Sequence, residues 1–271
     1  MKIKKLISAL VLGSMLVGLS GCNITDFSAE NLLRPPKAVG DEAEIEQLIA
    51  KTADSGYTLK YPKNGKFRSA IIMTDLDGND SNEAVAFFRN SVETSSVHML
   101  VMYSKDNSWE IASDNIFETT DIDSVDFADL TGNGKAEIIV NSTTYTPNVG
   151  KLSCYSYSEG KTNEVGSGQS CSSFVTGDFD NDGTSEIMSL VLYTTENEAL
   201  ASMLDYNEDS KSLYAKAMAN MDPNVVKYKN IAVTKLDNDI TGIVVDGTSA
   251  NEVTNTQVIF CLLYTSPSPR D

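Results

Sequence analysis

Apolar and polar positions along this chain follow three successive rhythms. Lys2, Lys4 and Lys5 precede "LISALVLGSMLVGL", an apolar run without periodicity. It is too short, and too soon followed by polar residues, for a membrane span, which predicts an export leader over residues 1–21. A polar stretch over 22–40 then reads as a tether. In "DEAEIEQLIAK", Ile45, Leu48 and Ile49 recur at helical spacing, and Asp41 with Glu44 forms a capping-box pattern. From Ser69 onward the rhythm is that of strands: "SAIIMTD", "EAVAFF", "SVHMLVMY" and "WEIAS" are broken by Asn, Asp, Gly and Ser every eight to twelve residues or so.

The strand pattern repeats. "DLDGNDSNE" (Asp75 to Glu83), "DLTGNGKAE" (Asp129 to Glu137) and "DFDNDGTSE" (Asp178 to Glu186) align from end to end, and each leads into an apolar run. Tyr103, Tyr157 and Tyr206 lie at one constant offset from the first Asp of each copy, so the repeat spans a whole unit of about fifty residues. Four short strands per unit predict an all-β fold, a partial β-propeller with a short N-terminal helix packed on one propeller face. Blades are expected near 69–118, 124–167, 172–220 and 230–260. The alternating "YTLKYP" (Tyr57 to Pro62) reads as an edge strand that completes the last blade.

The two ends carry resemblances of their own. "LSGC", Leu19 to Cys22, resembles the bacterial lipobox, which implies a diacylated Cys22, a membrane anchor and an extracytoplasmic location; the plainer alternative is an ordinary secretory signal. "CLLYTSPSPRD", Cys261 to Asp271, resembles the translation of a transposase-type sequencing-library adapter. That implies a tail foreign to the fold, a natural product continuing past Phe260, and an arc of three full blades with a frayed fourth. With Cys22 and Cys261 set aside, Cys154 and Cys171 allow one disulfide at most, and a buried free thiol is the equal alternative.

Each acidic loop places oxygen-bearing side chains at positions one, three and five and Glu at position nine. An EF-hand would need Glu at position twelve, where this chain has Ala86, Val140 and Ser189. The loops resemble those of FG-GAP and VCBS-type repeats, integrin-like propellers in which such a loop joins the first two strands of a blade. The resemblance runs from about residue 69 to residue 260; the Phe–Gly leader is missing, as in the bacterial VCBS-type variant. It implies calcium, a hard cation that takes six to eight oxygens at about 2.3–2.6 Å. The expected ligands are Asp178, Asp180, Asp182, Glu186 and the Thr184 carbonyl in the third loop. In the first they are Asp75, Asp77, Asn79, Glu83 and the Ser81 carbonyl; in the second, Asp129, Thr131, Asn133, Glu137 and the Lys135 carbonyl. By charge the third ranks first and the second last. A fourth copy puts Lys235 at position one and Ile243 at position nine, and is expected to hold no metal. The alternative for all of them is a plain Asx-rich turn. Ion-holding carboxylates are expected to stabilise the fold above a pKa near 4 and to lose that contribution in acid.

Composition narrows the partners. The formal net charge is −17, which repels phosphate backbones and attracts cations, so nucleic acid is excluded as a partner. His98, the single histidine, sits in an apolar strand and reads as structural, and Trp109 as core. No Ser–His or Cys–His set and no phosphate loop is present. The reading is a non-enzymatic, membrane-anchored module binding a protein or glycan. The alternative is a polysaccharide- or cell-wall-active enzyme with its catalytic residues beyond Phe260.

Overall fold

The computed structural model describes residues 40–260, except positions 55, 147, 193–198, 223, 236–240, 250 and 252. The leader, Cys22, the tether up to residue 39, the tail from Cys261 and most of the fourth loop lie outside the described residues.

Helix α1 (Asp41–Ala53) opens the described chain. Gly40 takes the N-cap position at φ 64°, with no side-chain cap hydrogen bond. The capping box predicted from Asp41 and Glu44 therefore does not form, because Asp41 is already helical. Instead Asp41, Glu42 and Glu44 in the first turn and Lys51 in the last complement the helix dipole.

Sixteen strands follow in four antiparallel sheets among the described residues, the second, third and fourth built in chain order from one edge to the other. The first contains β2 (Ile71–Thr74), β3 (Glu83–Asn90), β4 (Val97–Lys105) and β5 (Ser108–Phe117). The second contains β6 (Ile122–Ala128), β7 (Glu137–Thr143), β8 (Gly150–Ser158) and β9 (Lys161–Cys171). The third contains β10 (Ser173–Gly177), β11 (Glu186–Leu192), β12 (Ala199–Asn207) and β13 (Ser212–Asn220). The fourth has three strands, β14 (Val225–Lys235), β15 (Thr241–Ser249) and β16 (Thr254–Phe260). These are the blades of a partial β-propeller. β1 (Tyr57–Leu59) pairs with β3, Leu59 facing Phe88. "YTLKYP" thus extends the inner edge of the first sheet and does not complete the last. Its short run sits where β2 stops, and Lys60 N continues the ladder to Phe87 O at 2.8 Å.

Period-two alternation explains the stacking. Val85, Phe87, Met99 and Val101 of the first sheet meet Ile138, Val140, Tyr155 and Tyr157 of the second. The residues between them, Ala84, Ala86, Phe88, Leu100 and Met102, face Ile45, Ile49 and Ala53 of α1. Ile139, Cys154 and Val165 meet Ile187, Leu204 and Leu213 across the second and third sheets. Met188, Leu190 and Met203 meet Ile243 and Val245 across the third and fourth. Strands β3, β7 and β11 are covered on both faces, so their sequences are nearly continuous apolar runs. The helix expected on a propeller face lies instead against the flat of the first sheet, with Trp109 in the same cluster.

His98 is satisfied where it stands. Its Nδ1 lies 2.9 Å from the Asp114 carboxylate, and its ring stacks on Phe88 at 4.8 Å. Cys154 and Cys171 are free and buried between the second and third sheets, and burial raises both thiol pKa values.

Candidate metal centre

The three acidic loops occupy equivalent places, between the first two strands of the first, second and third sheets, and share one hydrogen-bond plan. The position-nine glutamate opens the second strand and turns back to accept the position-two amide. Leu76 N reaches Glu83 Oε2 at 2.8 Å, Leu130 N reaches Glu137 Oε2 at 2.8 Å, and Phe179 N reaches Glu186 Oε2 at 2.7 Å. The position-one aspartate gathers amides from the bend. Asp75 accepts from Gly78, Asn79 and Asp80, Asp129 from Asn133 and Gly134, and Asp178 from Asp182 and Gly183. The position-five side chain accepts the amide of position seven: Asn79 from Ser81, Asn133 from Lys135, Asp182 from Thr184.

Such a tight curl needs left-handed backbone at positions four and six in every copy. Gly78 and Asp80, Gly132 and Gly134, and Asn181 and Gly183 all have φ between 62° and 96°. Gly, Asn and Asp are the residues that tolerate this region. The loops also lean on one another: Ala136 N donates to Leu76 O at 3.0 Å and Ser185 N to Asp129 O at 2.8 Å.

Convergence differs between copies. In the third loop, one oxygen from each of Asp178, Asp180, Asp182 and Glu186 lies within 4.8 Å of the others. In the first, Asp75, Asp77 and Glu83 converge in the same way. The second has only two carboxylates, Asp129 and Glu137, and there Thr131 Oγ1 donates to Glu137 Oε1 at 3.3 Å. Two of the converging carboxylates also carry a buried oxygen with no hydrogen-bond partner, Oε1 of Glu186 and Oδ1 of Asp77. Glu186 is 0 % exposed. A buried carboxylate oxygen left unpaired is costly, and a hard cation satisfies it. The donor set, all oxygen and mostly anionic, fits calcium.

Protonation follows burial. Desolvation raises the pKa of Glu83 and Glu137 and pushes Glu186 up to about 7, with Asp180, Asp182 and Asp205 adding to it. Asp182 is held below the usual carboxylate range by the Thr184 hydroxyl and amide. Burial works against ionisation of Asp75, and its backbone donors outweigh it and lower the pKa. The two aspartates are thus shifted down and the three glutamates up.

The sequence reading missed two lysines beside the third loop. Lys216 pairs with Asp180 and Asp205, and Lys235 Nζ lies 2.9 Å from Asn181 Oδ1. It also missed a cavity of about 830 Å³ where the inner strands β6, β10 and β14 meet the 63–68 segment. Its lining includes Asp123, Asp126, Asn141, Thr143, Thr176 and Tyr228. Asn64 Nδ2 holds Asp123 at 2.8 Å, while Lys66 at 2.7 Å and Thr176 at 2.8 Å hold Asp126.

No family model and no curated protein matches the chain. Among solved structures it is similar to "NanB plus Optactamide", at 16% identity and a TM-score of 0.40, covering 75% of this chain and 33% of that one. A point variant of the NanB sialidase from Streptococcus pneumoniae gives 15% identity and a TM-score of 0.41, covering 75% and 33%. The chain therefore spans about a third of the length of the solved structures it matches. The propeller assignment rests on its own sheets.

Proposed function

We propose that this chain is a calcium-loaded, non-enzymatic binding module of the FG-GAP/VCBS type, held outside the cytoplasm by a lipid on Cys22. The observation that carries the calcium reading is Glu186, a buried glutamate that converges with Asp178, Asp180 and Asp182 and keeps an unpaired, buried Oε1. Asp178, Asp180, Asp182 and Glu186 would hold the ion in the third loop, and Asp75, Asp77 and Glu83, with Asn79, in the first. The ion supplies charge neutralisation, which lets an acidic turn pack beside buried β11. With a site affinity of about 10⁻⁴ M and millimolar calcium, each site contributes roughly 1.4 kcal/mol.

The axial cavity supports the binding half of the reading. Its lining mixes hydroxyls and amides with Lys63, Lys66, Arg68 and Lys227, a donor-rich set that suits the hydroxyl groups of a glycan. Both inner-strand carboxylates, Asp123 and Asp126, are committed to donors or lysine, which favours recognition over acid–base chemistry. Calcium titration of the purified chain tests the metal: wild type binds, Asp180→Ala loses one ion, and no uptake by wild type refutes the proposal. Membrane fractionation of Cys22→Ala tests the anchor, with release expected. Binding to a panel of neutral polysaccharides, lost in Asn141→Ala, tests the cavity.

A further inference from the structure

The third loop brings four carboxylates together where the first brings three, and a cation from its own sheet reaches it. The Lys216 ammonium pairs with Asp180, whose side chain is 2% exposed, and lies 2.8 Å from Asp205, at 13%. A β-bulge aims it there. Leu204 faces Ala215 and Met203 faces Ala217, so Lys216 is the extra residue of β13. The second sheet has a bulge at the same offset from its repeat tyrosine, between Glu164 and Gly166, and the extra residue is Val165, buried among apolar side chains. In the first sheet the extra residue is Ala112, packed against the apolar cluster. A bulge that elsewhere fills the core therefore carries lysine beside the one loop with three converging aspartates. Among the described residues, no lysine or arginine forms an ion pair with the first loop or the second.

We propose that Lys216 is a built-in counter-cation of the third loop, which a divalent ion displaces from Asp180 while the ammonium stays on Asp205. The inference rests on the calcium reading of that loop. Asp205 also receives the Tyr214 hydroxyl at 3.2 Å, so it is an anchored seat for the displaced charge. Two properties follow for this loop alone. It binds calcium more weakly than its four carboxylates would by themselves, and it holds its shape when calcium is scarce.

The test is calorimetric titration with calcium chloride, paired with thermal melts in chelator. Lys216→Met is expected to raise the affinity of one site at least about tenfold, since a unit charge a few ångströms from the ion is removed. The same variant is expected to melt lower than wild type in chelator, whereas Lys216→Arg keeps both values near wild type. Simple repulsion would raise the affinity without lowering the chelator melt. Asp180→Ala separates the failures. If it leaves the ion count unchanged, the third loop is no calcium site, and the reading and this inference fall together. If it removes one ion while Lys216→Met stays within about twofold of wild type, only this inference falls. Should Lys216→Met not fold, Asp205→Asn is expected to weaken calcium at that site about tenfold by removing the seat, and an unchanged affinity overturns the proposal.

Discussion

The first and third loops have the same backbone and opposite electrostatic neighbourhoods. Both place their position-one aspartate under a fan of amides, both use two left-handed residues, and both bury the closing glutamate. Yet Asp77 presents a buried, unpaired oxygen, whereas its counterpart Asp180 grips an ammonium. The fold of such a loop is thus written inside its nine residues, while its charge balance is written in a strand that comes later in the chain.

Four experiments press on that contrast, in descending order of expected effect. Glu83→Ala and Glu186→Ala each strand a buried amide, and both should cost about 2–3 kcal/mol in chelator by urea denaturation. Unequal losses would mean that the backbone plan is not shared. The pH response comes next. The Glu186 pKa lies at about 7 in the folded chain against an ordinary 4.5. Between those values the folded state keeps a proton that the unfolded state has released, so stability in chelator should fall as pH rises through that window. The size is on the order of 1–2 kcal/mol. Saturating calcium should abolish or reverse the slope, and a flat profile in chelator would count against the buried glutamate. Third, Asp77→Asn should stabilise the chelated protein slightly by thinning like charge, whereas Asp180→Asn should destabilise it by about 1 kcal/mol through loss of the Lys216 pair. Melting shifts of the same sign would erase the distinction between the loops. Smallest is Thr131→Asp, which gives the second loop its missing carboxylate: one more bound ion is expected by titration, with a melt in chelator changed by a degree or so.

What the sequence disclosed follows from what is local in it. The apolar run after each acidic loop announced a strand, and the aligned nine-residue loops announced where the first two strands of each unit join. The same locality misled at the helix start. Asp41 and Glu44 have capping-box spacing, but Gly40 already supplies the turn. "YTLKYP" signalled an edge strand without saying which edge. Lys216 was invisible because a bulge is a property of strand pairing, and a one-residue change of register decides whether its side chain faces the core or the loop.

Helix α1 has a consequence for the order of assembly. Neighbouring sheets meet through one apolar cluster per junction, and α1 covers the flat of the first sheet that faces away from the second. Such a stack gains cooperativity one junction at a time, as in a one-dimensional array whose end unit needs a lid. The lid is made before the blade it covers. A nascent chain emerging N-terminus first therefore has α1 to hand when the first sheet forms, to cover Ala84, Ala86, Phe88, Leu100 and Met102.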